Sequence, residues 1–278
     1  NPQSPIPNKK NIENIFLNIL YFKFKMEKNQ QNKYEEKLKL VLDQLNSLNY
    51  IIDNEGNLIS STPSINNRHI NIDKYKLILE IIYKYIKYNL YFKYNMKKIK
   101  ILPPAKDNFL CSNLIEKTSS YMINKLILVI NEPNKKLGVF SEANLLFDNI
   151  HKCCIFPLIE FSENKNIPLI ILNPKNNFDE YLNNFWKIYI KKQLKYLRNI
   201  IIITSGTSSI SLIKLLKNNK RDFEENITKI VMINSRHKKY FNILDDDSKK
   251  QFNNKCINYI LSNEPLGQLI YSRMDSIE

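Results

Sequence analysis

Leu126-Ile127-Leu128-Val129-Ile130, Pro168-Leu169-Ile170-Ile171-Leu172, Ile200-Ile201-Ile202-Ile203 and Ile230-Val231-Met232-Ile233 are four short, continuous apolar runs. Runs without polar alternation suit strands buried on both faces, and each is too short for a helix of its own. Helix-length amphipathic stretches separate them, at roughly 141–163, 178–197 and 207–219. The register β-α-β-α-β-α-β predicts an α/β fold with a mostly parallel sheet covered by helices on both sides. In such sheets the chemistry sits at the carboxyl ends of the strands.

Those ends read Asn131-Glu132-Pro133-Asn134, Asn173-Pro174-Lys175-Asn176-Asn177, Thr204-Ser205-Gly206-Thr207-Ser208-Ser209 and Asn234-Ser235-Arg236-His237. The third has the order strand, tight Ser/Gly turn, helix, which is the context of a nucleophile elbow, although the full G-x-S-x-G pattern is missing. Ser205 is also the natural N-cap for the helix that follows, because a serine oxygen accepts an orphan backbone N–H. Read as an enzyme, the chain offers Ser205 as nucleophile, His237 from the next strand end as base, and Glu132 as the acid behind it.

Toward the amino terminus, Leu38, Val41, Leu42 and Leu45 form a helical stripe, and Tyr50 to Ile59 reads as a hairpin turning at Asn54 to Gly56. A helix is predicted from about Ile72 to Phe92, capped by Asp73. Its tyrosines at 75, 83, 85, 88, 91 and 94 fit core and boundary packing by their helical spacing, with base stacking as the alternative. Residues 1–32 read as a tail or an upstream extension of a chain whose authentic start is Met26, and 33–278 as a single domain. The apolar run Ile15 to Phe22 is too short to span a bilayer, so no membrane is expected. Toward the carboxyl terminus, Asp245-Asp246-Asp247 reads as the cap of a helix from Ser248 to Tyr259 rather than a metal site. The chain stops at Glu278 inside what reads as a final loop, after which a further helix is expected.

Composition narrows the chemistry. The 278 residues hold four glycines, Gly56, Gly138, Gly206 and Gly267, no two of them near each other. A Walker loop, a dinucleotide fingerprint and a kinase glycine loop each need closely spaced glycines, so all three are excluded. Cys111, Cys153, Cys154 and Cys256 show neither a CxxC pair nor metal spacing, and His69 and His151 have no recognisable partners, so no cofactor and no metal is expected. The net charge of +15 points to nucleic acid through a basic surface. Only five of the 42 basic residues are arginine, however, and lysine lacks the planar fork that grips phosphate bidentately. Lys191, Lys192, Lys195 and Arg198 complement a helix end.

The order of motifs from about Tyr50 to Glu278 resembles the argonaute-binding-protein-two (Arb2) domain family of cotranscriptional regulators. Tyr50 to Leu58 is similar to that family's "Y-x-x-x-x-x-G-x-L", and Leu137-Gly138-Val139-Phe140 to its Ala-Gly-Gln-Trp, with Phe140 for the Trp. Pro157-Leu158-Ile159 and Ile171-Leu172-Asn173-Pro174-Lys175-Asn176-Asn177-Phe178 are similar to "P-F-I … V-L-N-P-N-x-N-Y", and Ser262-Asn263-Glu264-Pro265-Leu266 to "S-S-E-P-L". The resemblance implies an α/β-hydrolase-like three-layer sandwich. It also implies protein partners, of an argonaute-type or chromatin complex, and a nuclear or cytoplasmic place.

The departures from the family bear on activity. Asn131-Glu132 stands where the family has His-Gly, the oxyanion position. Thr204 to Ser209 stands against Ala-His-Ser-Tyr-Gly-Gly, which puts Gly206 on the nucleophile. Asn234-Ser235-Arg236-His237 replaces Asp-Ser-Val-His, so the acid becomes an amide, and Ile277 falls on the histidine base. A triad reading Gly206, Asn234 and Ile277 cannot shuttle a proton, and losing one member of such a triad costs about 10⁴-fold in turnover. The resemblance therefore implies a pseudohydrolase.

Overall fold

The computed structural model describes residues 31–61, 71–100, 108–112, 114–117, 123–133, 135–146, 149–173, 177–193 and 196–260. The tail through Met26, His69, Pro174, Lys195, Glu264, Pro265, Leu266, Gly267, Ile277 and the expected final loop lie outside them. The chain divides into two compact units, each discontinuous in sequence.

The first unit takes in residues up to Ile99, Phe109–Ser119 and Lys135–Leu169. Helix α1 (31–47) leads into strands β1 (Tyr50–Ile52) and β2 (Leu58–Ser60), an antiparallel hairpin with Tyr50 opposite Ser60. Its turn is set by the Asp53 carboxylate, which accepts from the backbone N–H of Glu55 at 2.9 Å and of Asn57 at 2.8 Å. Gly56 has φ +89°, and a Cβ there would come within 2.7 Å of the His151 ring, so both conformation and space demand glycine. Helix α2 (Ile72–Tyr88) buries Ile78, Leu79, Ile81, Ile82 and Ile86. Its cap is Asn71, whose side chain accepts from the Asp73 N–H, rather than Asp73 itself; Asp73 instead sits in the first turn, where an anion complements the macrodipole. A π turn (Asn89–Lys93) extends α2 close to the expected end. Strands β3 (Lys97–Lys100) and β4 (Asn108–Cys111) and the short α3 (Leu114–Lys117) follow.

The single helix expected at 141–163 is broken into a 3-10 turn (Ala143–Leu145), α4 (Ile150–Cys153) and α5 (Phe156–Asn164). Asn149 caps α4 by accepting from the Lys152 N–H. Cys154 is extended and bridges to Val139, and Pro157 lies in the first turn of α5, where its missing N–H costs nothing.

The second unit contains β5 (Lys125–Ile130) and the chain from Ile170 onward. Strand β6 (Leu169–Leu172) is followed by α6 (Phe178–Phe185), which runs through a π turn (Trp186–Ile190) into α7 (Lys191–Gln193). Then come β7 (Asn199–Ser205), α8 (Ser208–Asn218), α9 (Lys220–Asn226) and β8 (Ile227–Ile233). A 3-10 turn (His237–Ile243), α10 (Asp246–Lys255) and β9 (Cys256–Tyr259) complete the described chain. Asp245 caps α10 through the Ser248 N–H at 2.8 Å, as the acidic run predicts. That helix stops at Lys255 instead of Tyr259, because residues 256–259 pair with β8 as a strand.

The fold is α/β, with a mostly parallel sheet flanked by helices. Its strands lie in the order β3-β4-β6-β5-β7-β8-β9. The pairs β5–β7, β7–β8 and β8–β9 are parallel, with Ile130 beside Thr204, Ser205 beside Ile233 and Ile233 beside Tyr259. This register brings the carboxyl ends of the strands to one edge. Leu126 to Ile130 are all buried, each burial being worth about 1.5–3 kcal/mol by transfer arguments, and α8 packs on β7 while α9 and α10 pack on β8.

Candidate functional site

Strand β7 ends at Ser205, and the chain reverses through Gly206 at φ +54° into Thr207 and α8. Four hydroxyls tie this turn down. Ser208 Oγ lies 2.6 Å from the Ser205 carbonyl oxygen and 3.1 Å from that of Ile130, pairs with the Thr204 hydroxyl, and accepts from the Ser205 N–H at 3.2 Å. One buried oxygen thus joins the ends of β5 and β7 to the start of α8. Ser209 donates to the Gly206 carbonyl at 2.7 Å and accepts from the Arg236 N–H at 3.2 Å, which draws in the end of β8. Ser208 and Ser209 are structural staples of this turn.

The helix N-cap is Thr207, not Ser205, and the Thr207 side chain makes no capping bond of its own. The acceptor comes from another strand end. Glu132 Oε1 receives the Thr207 backbone N–H at 3.2 Å and the Thr207 hydroxyl at 3.1 Å. A carboxylate at this helix start is favoured by both the orphan N–H and the macrodipole. It also lies over the turn, so that a Cβ added to Gly206 would meet Glu132 Oε1 at 2.5 Å. The volume that a nucleophile's side chain would occupy is filled by Glu132. In an elbow of this kind the residue after the nucleophile supplies a backbone oxyanion donor, and here that donor is the Thr207 N–H, already engaged.

The other expected positions surround this turn. Asn131 is fully buried, its N–H donates to Leu172 at 2.9 Å, and its side-chain amide faces Asn173 at 3.4 Å, joining the ends of β5 and β6. Asn234, expected at the acid position, takes φ +48° and donates its N–H to the Tyr259 carbonyl at 2.8 Å. It turns the backbone and is exposed. Ser205 is 7% exposed. His237 Nδ1 pairs with Ser235 Oγ at 2.7 Å, and its ring packs against Phe252 and Phe241. Burial, helped by Lys238, holds its pKa below the ordinary value and keeps the imidazole neutral. No hydrogen bond between His237 and Ser205, or between His237 and Glu132, occurs among the described residues.

Gly138 and Phe140 belong to the first unit. Gly138 has φ +74° and would press a Cβ to 2.9 Å from Ile155, and the Phe140 N–H donates to Cys153 at 3.0 Å. Both serve the segment that precedes α4 and α5. His151 stacks on Tyr85 and meets its hydroxyl at 3.2 Å, a satisfied histidine. Among the described residues no cluster of three or more metal-ligating side chains occurs, and no helix is long and apolar enough to cross a membrane.

Sequence reasoning missed the groove beside the elbow, lined by Pro133, Phe178, Asp179, Thr207, Ile210 and Lys214. Asp179 accepts from Lys214 at 2.6 Å and from the Ser211 hydroxyl. Burial works to raise its carboxyl, but the bonds from Lys214 and Ser211 outweigh it and hold the pKa low. The pairing is 35 residues apart in sequence, and no local signal announces it.

With this geometry established, the Arb2 domain family matches residues 175–266. The match takes in the elbow, the Asn234 to His237 turn and the Glu264-Pro265-Leu266 motif. Tyr50 to Leu58, Gly138, Phe140 and Asn173 lie before it. A histone deacetylase from Saccharomyces cerevisiae is similar in structure at TM-score 0.44 and 14% identity, over 66% of this chain and 80% of that one. A putative esterase from Staphylococcus aureus is similar at TM-score 0.35 and 14% identity, over 69% of this chain and 68% of that one. No curated protein sequence matches the chain.

Proposed function

We propose that the chain is a non-catalytic, α/β-hydrolase-like scaffold that works through protein partners, in the manner of regulators of small-RNA-linked heterochromatin and co-transcriptional processing. One observation carries the non-catalytic reading: the Glu132 carboxylate occupies the space over Gly206 and takes the Thr207 N–H that an oxyanion would need. A developing oxyanion at that point meets a fixed negative charge instead of a preorganised donor, which reverses the usual catalytic stabilisation. The neighbouring serines are consumed as backbone staples, and Asn234 spends its position on a turn. The Arb2 match over residues 175–266 supports the link to that regulatory family, whose nuclear or cytoplasmic setting and argonaute-type or chromatin partners come with the proposal.

The hydrolase alternative needs Ser205 to be approached by His237, whose Nδ1 is held by Ser235 and whose ring sits among phenylalanines. Incubation of the full chain with a fluorophosphonate probe, read by intact mass, separates the two. The scaffold reading expects no adduct. A stoichiometric adduct that disappears in Ser205→Ala overturns it.

A further inference from the structure

We infer that the groove between α1 and the end of α2 binds a single-stranded polynucleotide. The inference rests on the first unit alone, independently of the state of the elbow.

The groove has a volume of about 660 Å³ and is lined by Lys33, Lys37, Lys87, Lys97 and Lys98, with no acidic residue in its wall. Among the described residues, Lys33, Lys37, Lys87 and Lys98 form no ion pair with a carboxylate. A chain that scatters lysine everywhere would leave some unpaired, but here they converge on one concave surface. Like charges brought together without counter-charges are costly unless a polyanion or its equivalent in counterions sits between them.

The floor of the groove is aromatic. Tyr88, Tyr91 and Phe92 are half-buried, and the Lys37 ammonium lies 5.4 Å from the Tyr88 ring centre and 5.7 Å from that of Phe92. Lys37 covers the Tyr88 and Phe92 rings, and Phe92 also packs on Tyr34 and Tyr88, so Tyr91 is the ring offered to a base while the lysines meet phosphates. Bases paired inside a duplex cannot reach such a floor, so the chemistry favours a single strand. An acidic peptide satisfies the lysines but leaves the rings unused.

The basic surface also has direction. Lys87 belongs at once to this groove and to a second one lined by Tyr83, Lys84, Lys136 and Leu137, with Glu80 as the one carboxylate in its wall. There the Lys136 ammonium again stands over a ring, 5.3 Å from the centre of Tyr83. The two grooves make a track along α2 with the same pairing of lysine and aromatic residue at each end, as a strand of several nucleotides requires.

The test is a fluorescence-anisotropy titration of the full chain with an oligouridylate of about 20 nucleotides, repeated between about 50 and 200 mM salt. Four phosphate contacts give a log-log salt slope of about −3. The combined variant Lys33→Ala, Lys37→Ala, Lys87→Ala weakens binding at least about tenfold and lowers the slope by about two. A charge-matched control at the exposed Lys192, Lys217 and Lys229 changes affinity less than about twofold. Tyr91→Leu keeps apolar packing, removes the ring, and weakens binding about tenfold with the slope unchanged, while Tyr91→Phe restores it. Thermal melts confirm that each variant folds. Equal losses in the groove and control variants, equal affinity for polyglutamate or for duplex, or no binding at low salt overturns the proposal.

Discussion

At the end of β7, Thr204, Thr207, Ser208, Ser209 and the Glu132 carboxylate all find partners inside the chain, whereas Lys33, Lys37, Lys87 and Lys98 beside α2 meet no carboxylate among the described residues. The two regions use polar groups in opposite ways. Groups bonded to one another at a turn fix the backbone and have little left for a ligand. Charges gathered without carboxylate partners contribute little to the fold and remain open to a polyanion. In this chain the strand end that reads as a nucleophile elbow is the self-satisfied one, and the groove proposed to take a polynucleotide lies elsewhere in the sequence.

Three measurements sharpen that contrast, from the largest effect to the smallest. Gly206→Ala forces a side chain into φ +54° and against Glu132, and destabilises by about 2–3 kcal/mol in urea unfolding. A change within a few tenths of a kcal/mol breaks the claim that this turn is filled. Lowering the pH acts more weakly. Burial holds the pKa of His237 below its ordinary value, and burial together with Lys93 does the same for His151. The unfolded chain then binds protons that the folded chain refuses, so stability is full above about pH 6.5 and falls as pH drops through it. Equilibrium unfolding in the two variants His237→Gln and His151→Gln checks this, since each flattens the slope just below pH 6.5. At the lysine-lined groove, Lys33→Ala and Lys87→Ala each change stability by less than about 0.5 kcal/mol, and Lys37→Ala, which also loses two ring contacts, by up to about 1 kcal/mol. A larger loss would mean that these lysines hold the fold together.

The sequence made the central sheet legible because four of its strands carry continuous apolar runs, although only the runs of β5 and β6 are buried throughout, while those of β7 and β8 alternate between buried and half-buried residues. Leu126–Ile130, Leu169–Leu172, Ile200–Ile203 and Ile230–Ile233 all lie within observed strands. Strands β3 and β9 were not legible. Lys97-Lys98-Ile99-Lys100 and Cys256-Ile257-Asn258-Tyr259 hold no continuous apolar run, and β9 is a strand only because β8 pairs with it. The break in the helix expected at 141–163 had a signal in Pro157, which belongs at a helix start.

The elbow itself was half legible. The positions Asn131, Glu132, Ser205, Gly206, Asn234 and His237 follow from the strand ends, but the bond from Thr207 to Glu132 spans 75 residues and no periodicity reveals it. The scarcity of glycine also has a structural counterpart. Among the described residues, the non-glycine residues at positive φ are Asn49, Asn95, Asn166, Asn177 and Asn234, all asparagine, the side chain that best tolerates the left-handed region. A missing glycine in this chain therefore does not by itself mean a missing turn. What speaks against catalysis at Gly206 is the carboxylate above it.

A double-mutant cycle at Gly206 and Glu132, followed by urea unfolding, tests this most directly. The account predicts that Gly206→Ala costs at least about 0.5 kcal/mol less in the Glu132→Ala background than in the native chain, since residues in contact couple by about 0.5–3 kcal/mol. Additive losses would show that Glu132 does not occupy the elbow, and would contradict the reading of this site as closed.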